Sequence, residues 1–238
     1  MNGSIVILTG AGISAESGIQ TFRASDGLWE NHRVEDVATP EGFARDPEHV
    51  QEFYNQRRRQ LRDSDIKPHA AHMALGKLEL EYDGSVTVIT QNIDNLHEAG
   101  GSHRIIHMHG ELLKSLCSAC GNRADLEGDL DRTMSCRVCG ASGSLRPDVV
   151  WFGEMPYGMD EIMQLLEDSS LFLSIGTSGH VYPAAGFVET AAAAGALTIE
   201  INLEPSLVHT LFDEHRTGKA GDLVPLLVDD ILSGKIKI

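Results

Sequence analysis

The sequence is poor in positive charge. Its 238 residues include 19 Lys and Arg against 35 Asp and Glu, a formal charge of −16 at pH 7. A nucleic-acid backbone is bound by clustered cations, so neither DNA nor RNA is expected as the main partner, and docking on anionic lipid is disfavoured for the same reason. A basic polypeptide would be tolerated and could be attracted as a partner, although solubility alone is the simpler explanation of an acidic balance.

A long apolar run is also lacking. The stretch SIVILTGAG near Met1 has no basic leader and is too short for a membrane span, and no later run reaches that length. We therefore expect a cytoplasmic protein that does not enter a membrane. Cysteine is scarce, with four residues, and in a reducing compartment these are not expected to form disulfides.

Aromatic residues make up only 5% of the chain, but hydrophobic residues reach 42% and charged residues 23%, as in ordinary globular proteins. The length allows one large domain, alone or with a smaller appendage. We find no internal repeat, low-complexity tract or flexible linker in the sequence.

Short apolar runs alternate with helical stretches along most of the chain. The runs predict buried parallel strands at 4–8, 85–90, 104–108, 171–175 and 197–201. Helices are predicted at 70–81, 159–168, 183–194 and 223–232. This alternation is typical of a doubly wound α/β sheet.

Two stretches interrupt the alternation. Residues 27–67 look helical and polar, and residues 117–144 carry the cysteines among many Gly, Ser and Asp. We predict that they form a smaller helical and metal-binding module over the sheet. The sheet domain is then expected at 1–32, 70–113 and 145–238, and the module at 33–69 and 114–144.

The cysteines form two Cys-x2-Cys pairs separated by 15 residues, at Cys117, Cys120, Cys136 and Cys139. Four thiolates at this spacing are typical of a tetrahedral Zn2+ site. Because four thiolates close the coordination shell, the zinc is expected to be structural and to have no open position for water.

A glycine loop follows the first predicted strand, in ILTGAGISAESGIQTFR. Gly10, Gly12 and Ala15 have the spacing of a loop that lets a backbone approach a pyrophosphate ahead of a helix amino terminus. The same spacing often marks only a tight turn. A Rossmann dehydrogenase also has an acidic residue at the end of its second strand, whereas SDGLWENH at that place does not look like a strand end. A nucleotide would be held differently here.

Polar residues follow two other predicted strands, in VITQNIDNLH and IIHMHGE. Since ligands of α/β sheets bind at the carboxyl ends of the strands, these side chains should converge on the glycine loop: Gln91, Asn92, Asp94, His107 and His109. The two histidines could also be strand residues with hydrogen-bonded partners. A catalytic metal site on them is disfavoured, because the sequence offers no obvious third and fourth ligand.

Three further segments could contact ligands. RPDVVWFGE, residues 146–154, could pair with a peptide by strand addition or could be a buried connector. IGTSGHVYPAAG and EINLEP each follow a predicted strand. Their polar groups suit phosphate or ribose, at Gly176, Thr177, Ser178, Asn202 and Glu204.

The segment HVQEFYNQRRRQLRD predicts a helix whose apolar face contains an arginine. At 3.6 residues per turn, Arg57 shares that face with Val50, Phe53, Tyr54 and Leu61. The remaining arginines are predicted to point into water: Arg58, Arg59 and Arg62. Arg57 could extend its stem over apolar surface with its head in water, or an acidic group could dock against it.

In combination these motifs resemble the sirtuin family. GAGISAESGIQTFR, TQNIDNLH, HMHGE, the two cysteine pairs, VVWFGE, GTS and NLEP occur in the order of that family, from Val6 to about Val224. The similarity is closest to bacterial members that group with the class removing acidic acyl groups. The resemblance implies an inverted Rossmann-like domain with a small zinc module, and NAD bound between them.

The resemblance also implies an activity, the removal of acyl groups from protein lysine side chains with consumption of NAD. Nicotinamide, free lysine and O-acyl-ADP-ribose would be the products. The implied NAD-binding residues are Gly10, Ala11, Gly12, Ile13, Ser14, Ala15, Glu16, Ser17, Gly18, Ile19, Thr21, Phe22, Arg23, Trp29, Gln91, Asn92, Ile93, Asp94, Gly176, Thr177, Ser178, Asn202, Leu203, Glu204 and Ala220.

In this family resemblance His109 corresponds to the catalytic base. Asn92 and Asp94, which line the nicotinamide pocket with Gln91 and Ile93, are also implied to be catalytic. The implied substrate-binding residues are Tyr54, Arg57, Val150, Phe152 and Gly153. Acylated-lysine proteins would be the partners, and Ala38 would leave room for the acyl chain.

Two other classes of enzyme remain possible from the sequence. A nicotinamide dehydrogenase would accumulate NADH, and a zinc hydrolase using His107 and His109 would not need NAD.

Overall fold

The computed structural model of the chain describes residues 3–20, 28–29, 31–63 and 65–238. Its strands are β1 Ser4–Thr9, β2 Leu28–Trp29, β3 His32–Arg33, β4 Val86–Thr90, β5 Ile105–His107, β6 Gly110–Cys117, β7 Arg123–Asp125, β8 Leu145–Val149, β9 Ser169–Ile175, β10 Leu197–Asn202 and β11 Glu214–Thr217. Its α-helices are α1 Ala11–Ser14, α2 Val34–Val37, α3 Pro40–Arg45, α4 Pro47–Leu61, α5 Ala70–Glu81, α6 Leu96–Ala99, α7 Met159–Glu167, α8 Phe187–Ala193 and α9 Ala220–Leu232.

A parallel sheet organises the larger part of the fold. Within the described residues it has six strands in the order β11-β10-β9-β1-β4-β5. Its apolar strands are buried on both faces: Leu75 and Val224, from α5 and α9, lie in the core on one face. Ile162 and Phe187, from α7 and α8, lie in the core on the other. The predicted α/β class with helices on both faces is confirmed.

Most predicted elements lie within two or three residues of the observed ones, and α5 has the predicted bounds. One strand of the sheet, β11, was not predicted. Its sequence, Glu-His-Arg-Thr, has no apolar run, and its side chains at this edge of the sheet are exposed or only half-buried. Helix α9 begins at Ala220, three residues before the predicted start at Leu223.

The smaller module combines a second sheet with α2, α3 and α4. Strand β6 pairs antiparallel with both β7 and β8. A separate apolar cluster lies between this sheet and the helices, and it includes Val37, Val50, Phe53, Tyr54 and Trp151. The division of the chain into two domains at the predicted boundaries stays a prediction.

Helix α4 begins where the sequence favours it. The Asp46 side chain accepts a hydrogen bond from the His49 N–H at 3.0 Å, and Pro47 occupies the first turn. Its apolar face packs in the cluster just described.

The face of α4 next to the apolar one shows that the prediction for Arg58 was wrong. Gln51, Asn55 and Arg58 are all buried, and their spacing of four and then three residues places them on one helical stripe. Each donates to a backbone carbonyl outside the helix, those of Leu145, Leu130 and Leu112, at 3.1, 2.9 and 3.1 Å. Arg58 also donates to the Asn55 side chain. These carbonyls need donors once they are buried, so a polar stripe on α4 holds the module.

Arg59 and Arg62 remain exposed as predicted, although Arg62 also donates to a carbonyl, that of Leu126, at 2.8 Å. Over the ranges that the structure describes, no helix has the length and apolar character needed to cross a membrane.

Candidate active site

Three of the predicted motifs meet at the carboxyl edge of the parallel sheet. β1 lies between β9 and β4, so the segments that follow these strands are neighbours. The Gly10 N–H donates to the Ile175 carbonyl at 3.0 Å, and the Gln91 N–H donates to the Thr9 carbonyl at 2.9 Å. The glycine loop, the segment after β4 and the segment after β9 therefore form one continuous rim, as expected for an α/β ligand site.

Glycine is required where the loop contacts the segment after β9. The Gly12 N–H donates to the Gly176 carbonyl at 2.9 Å. A Cβ on Gly12 would lie 2.7 Å from the Gly176 Cα, and one on Gly176, whose φ is +64°, would lie 2.4 Å from the Ile13 nitrogen. Larger residues would force the two backbones apart, and the loop could no longer lie against the end of the sheet.

A buried polar network fixes the side chains on this rim. The Asn92 amide donates to the Gly10 carbonyl at 3.0 Å and to Ser14 Oγ at 3.1 Å. Ser14 Oγ in turn donates to Asp94 Oδ2 at 2.9 Å. Both amide hydrogens of Asn92 are used, so its Oδ1 is the atom left to accept from a ligand.

Asp94 is a buried carboxylate. Burial raises its pKa, and hydrogen bonds from the Leu96 N–H and the Ser14 hydroxyl oppose that rise by stabilising the charged form. The carboxylate is thus held in a fixed orientation at the edge of the site, where it can act on a developing positive charge.

Buried histidines lie beneath the network. His97 Nε2 donates to Thr9 Oγ1 at 2.9 Å, Thr9 Oγ1 donates to Thr90 Oγ1, and Thr90 Oγ1 accepts from the Asn92 N–H at 3.0 Å. The ring of His72 lies 5.1 Å from that of His97. Burial lowers the pKa of His72 to about 2 and that of His97 to about 4, so both are neutral near pH 7.

His109 is placed as a base. Its Nδ1 lies 3.0 Å from the Gln91 carbonyl oxygen. Because a carbonyl can only accept, Nδ1 carries the hydrogen and Nε2 keeps its lone pair. Burial lowers the pKa of His109, and the bond to Gln91 offsets this in part. The ring is therefore neutral at neutral pH and able to take a proton at Nε2.

His107 has a different environment from His109. Its Nε2 lies 2.7 Å from Glu98 Oε1. Although burial alone would lower its pKa, the bond and charge of Glu98 raise it. The ligand atoms of His107, Glu98 and Glu111 lie within 4.8 Å of one another, and His109 is not in that group. The two histidines thus do not form a shared metal site.

The opposite end of the rim carries further residues that were predicted to bind NAD. The Asn202 amide donates to the Thr177 carbonyl at 2.6 Å, which brings the segments after β10 and β9 together. Glu16 accepts from the Gly221 N–H at 2.9 Å, so the glycine loop reaches the start of α9 beside Ala220. Ser178, Leu203 and Glu204 are exposed on this rim.

The remaining predicted NAD residues lie in several places. One follows β1 along α1 and the 3₁₀ turn that continues it: Ala11, Ile13, Ala15, Ser17, Gly18 and Ile19. Ile93 accepts at its carbonyl from the Leu112 N–H at 2.8 Å, and Trp29 packs edge-on against Phe53 and Tyr54 with ring centroids 5.1 and 5.8 Å away. The predictions for Thr21, Phe22 and Arg23 lie outside the described residues.

Tyr54 and Arg57 lie on α4 at the junction of the module and the sheet. Burial raises the pKa of Tyr54, while the charge of Arg57 acts in the opposite direction. The Tyr54 oxygen accepts from Trp151 Nε1 at 3.0 Å. Half-buried Arg57 donates to the Phe53 carbonyl at 2.9 Å, and its guanidinium carbon lies 3.7 Å from the Phe53 ring centroid.

The segment after β8 connects the backbone of His109 with that of Ala38. The Val150 N–H donates to the His109 carbonyl at 2.9 Å, and the Phe152 N–H donates to the Ala38 carbonyl at 2.9 Å. Trp151 between them is buried, whereas the Phe152 side chain and Gly153 are exposed. The segment therefore has a buried anchor and an exposed edge.

The four cysteines come together as a metal site requires. Cys117 Sγ lies 3.7 Å from Cys139 Sγ, and Cys120 Sγ lies 3.7 Å from Cys136 Sγ. Tetrahedral zinc with Zn–S bonds near 2.3 Å separates its sulfurs by about 3.8 Å, whereas a disulfide would bring them to about 2.05 Å. All four sulfurs lie within 4.8 Å of one another. The residues fit one structural Zn2+, as predicted.

The fold and this site define a class, a nucleotide-binding α/β protein with a tetrathiolate zinc module. A family model described as the Sir2 family matches residues 10–183. An NAD-dependent protein deacylase of Vibrio vulnificus is 64% identical over 230 residues, covering 97% of this chain and 94% of that protein. The deacylase of Yersinia pestis is 60% identical, with 96% and 82% covered.

Solved structures agree with the sequence comparison. A Sir2 homolog–NAD complex has a TM-score of 0.86 at 38% identity, covering 97% of this chain and 90% of the other. The Sir2Af2 complex with a myristoylated histone peptide has a TM-score of 0.74 at 33% identity, with 98% and 93% covered. The chain belongs to the Sir2 family, the sirtuins, and the predicted resemblance is confirmed.

Proposed function

We propose that this chain is an NAD-dependent protein deacylase that removes acetyl, succinyl and malonyl groups from lysine side chains. Family membership and relatives named NAD-dependent protein deacylase support the broader activity. One observation carries the proposal: the Asn92–Ser14–Asp94 network and the Nε2 lone pair of His109 lie on segments joined through Gln91 at one edge of the sheet.

When bound, NAD supplies a ribose carbon that becomes electrophilic as nicotinamide leaves. The Asp94 carboxylate and the Asn92 Oδ1 dipole are fixed by hydrogen bonds before any ligand arrives. Fixed groups of this kind stabilise developing positive charge without reorganising, and they act most strongly where water is excluded. We assign the nicotinamide end of the site to this network and the adenosine end to Thr177, Asn202 and Glu204.

His109 is assigned the role of general base. The attack of a ribose hydroxyl on the transferred acyl group releases a proton, and a neutral imidazole nitrogen is suited to accept it. The Gln91 carbonyl fixes which nitrogen that is. The proposed products are nicotinamide, free lysine and O-acyl-ADP-ribose.

The acyl preference rests on Tyr54 and Arg57. The Tyr54 oxygen already accepts from Trp151, so its hydrogen is the group left to donate, and its raised pKa keeps that hydrogen in place. A planar guanidinium matches a carboxylate in shape and charge. A succinyl or malonyl carboxylate would bond both side chains, while acetyl would still enter the pocket beside the small Ala38.

A chromatographic assay on acetyl-lysine and succinyl-lysine peptides of one sequence, with and without NAD, tests the proposal. Deacylated peptide and nicotinamide should appear in equal amounts, and neither should form without NAD. A dehydrogenase would accumulate NADH and release no nicotinamide. A zinc hydrolase would deacylate at full rate without NAD, and that result would overturn the proposal.

A further inference from the structure

An ion pair lies directly behind the segment assigned to peptide binding. Arg146 and Glu154 bond in a bidentate manner, with Nη1–Oε1 at 2.8 Å and Nη2–Oε2 at 2.9 Å. Their side chains are only 11% and 26% exposed. Partly buried, two-bond pairs hold their geometry far better than single surface ion pairs do.

The pair holds Trp151 by its backbone and by its ring. Glu154 Oε2 also accepts from the Trp151 N–H at 2.8 Å, while the Glu154 N–H donates to the Trp151 carbonyl at 2.9 Å, closing a turn over 151–154. The Arg146 guanidinium carbon lies 4.1 Å from the centroid of the Trp151 ring, within the range of a cation–π contact. Phe43 packs against the same ring, 5.1 Å away.

Trp151 then fixes groups on both sides of the substrate site. Its indole N–H sets the Tyr54 hydroxyl, and its chain neighbours, Val150 and Phe152, are bonded to the His109 and Ala38 backbones. Movement of this one buried ring would therefore displace both the peptide-binding edge and the acyl pocket.

We propose that Arg146 and Glu154 are positioning residues for substrate binding: their ion pair locks Trp151, and Trp151 sets the 150–153 segment and the Tyr54 hydroxyl for the acylated peptide. The inference rests on the proposed function, because it takes that segment and Tyr54 as substrate-contacting. Glu154 accepts from the Trp151 N–H and Arg146 carries the cation against the Trp151 ring, so the two residues act on Trp151 together.

The zinc module is connected to this pair through β8. Arg146 is paired with Leu116 in the small sheet, and the preceding residue Leu145 is paired with Cys117. Ser144 Oγ lies 3.2 Å from Cys117 Sγ. The metal site thus positions the start of the strand that carries Arg146. Loss of the zinc would then weaken substrate binding through Arg146, although the zinc does not contact the substrate.

The test uses the full-length protein with its zinc and steady-state kinetics on an acetyl-lysine peptide. Glu154→Ala removes both carboxylate oxygens, which accept from Arg146 and from the Trp151 N–H. Glu154→Gln keeps an amide oxygen that can still accept from the Trp151 N–H. Asp129→Ala is the matched control, since it breaks an exposed ion pair of the same module, with Arg59 at 3.1 Å. The melting temperature and zinc content of each variant are measured in parallel.

We expect KM for the peptide to rise of the order of tenfold in Glu154→Ala, the loss expected when a charge-assisted bond is removed, and clearly less in Glu154→Gln. KM for NAD and kcat at saturating peptide should stay within about twofold, and the control should match the wild type. A variant that is merely less stable would lower kcat through its inactive fraction and leave KM unchanged.

An unchanged peptide KM in a folded Glu154→Ala protein overturns the positioning role while leaving the deacylase proposal standing. Should Glu154→Ala not fold, the same comparison is made on Glu154→Gln, whose KM must then exceed that of the control. A wild-type protein without NAD-dependent deacylation would instead remove the proposed function itself. In that case peptide affinity measured by calorimetry on the same variants decides the positioning role.

Discussion

Arg57→Met gives the sharpest test of the acyl preference. The substitution keeps a long apolar stem but removes the guanidinium that lies 3.7 Å from the Phe53 ring centroid and donates to the Phe53 carbonyl. These contacts hold the head group in place before a substrate arrives, so little side-chain entropy is lost when a carboxylate binds.

The magnitude follows from the bonds that would be lost. Hydrogen bonds to charged groups contribute about 1.5–3 kcal/mol each, and every 1.4 kcal/mol is about tenfold in kcat/KM. Arg57→Met should therefore lower desuccinylation by roughly 10- to 150-fold in kcat/KM. Deacetylation should change by less than about threefold, since an acetyl group has no charge for Arg57 to bind.

The assay measures kcat/KM for acetyl- and succinyl-lysine peptides of identical sequence. Arg59→Met is the matched control: it lies two positions further along the same helix, is about half exposed and pairs with Glu52 and Asp129 on the surface. Both activities should survive in it. Equal losses of both activities in Arg57→Met would refute the reasoning and leave Arg57 as an arginine whose stem packs while its head reaches water.

Three further outcomes are expected. His109→Ala should lower turnover by roughly 100- to 10,000-fold with the fold intact, and near-normal turnover in the folded variant would disprove the assignment. The wild-type rate should fall on acidification with an apparent pKa below the usual 6.5 of histidine, because burial lowers the pKa of His109. Metal analysis should find about one zinc per chain, and Cys120→Ala should lose the metal together with stability and activity, whereas a metal-free protein of normal stability would contradict the site. In the unfolded chain His72 and His97 bind protons below about pH 6.5, whereas in the folded protein burial lowers their pKa values to about 2 and 4. The free energy of unfolding should therefore fall by about 1.4 kcal/mol per pH unit for each histidine as the pH is lowered from 6 to 4.5. Urea titrations measure this slope, which should be less steep in His72→Asn.

The sequence alone determined the features that depend on local pattern. Apolar runs and 3.6-residue periodicity predicted the sheet and the bounds of α5, because a strand buried on both faces has to be apolar along its length. The spacing of the cysteines predicted the ligand set, because two Cys-x2-Cys pairs can surround one ion whatever the conformation of the loop between them. The order of motifs indicated the Sir2 family before any contact was known.

Tertiary structure alone decided how polar side chains are used. A helical wheel shows which residues share a face, but it cannot show that other parts of the chain also cover the neighbouring face. It therefore predicted Arg58 to point into water, whereas Arg58 is buried and donates to the Leu112 carbonyl of β6. Strand β11 had no apolar signal for a different reason, since its residues at the edge of the sheet are exposed or only half-buried. The tautomer of His109 and the hydrogen bond that holds the Trp151 N–H likewise depend on the carbonyl of Gln91 and the carboxylate of Glu154. Hydrogen bonds are directional and short-ranged, and the partners that meet are fixed only when the chain has packed.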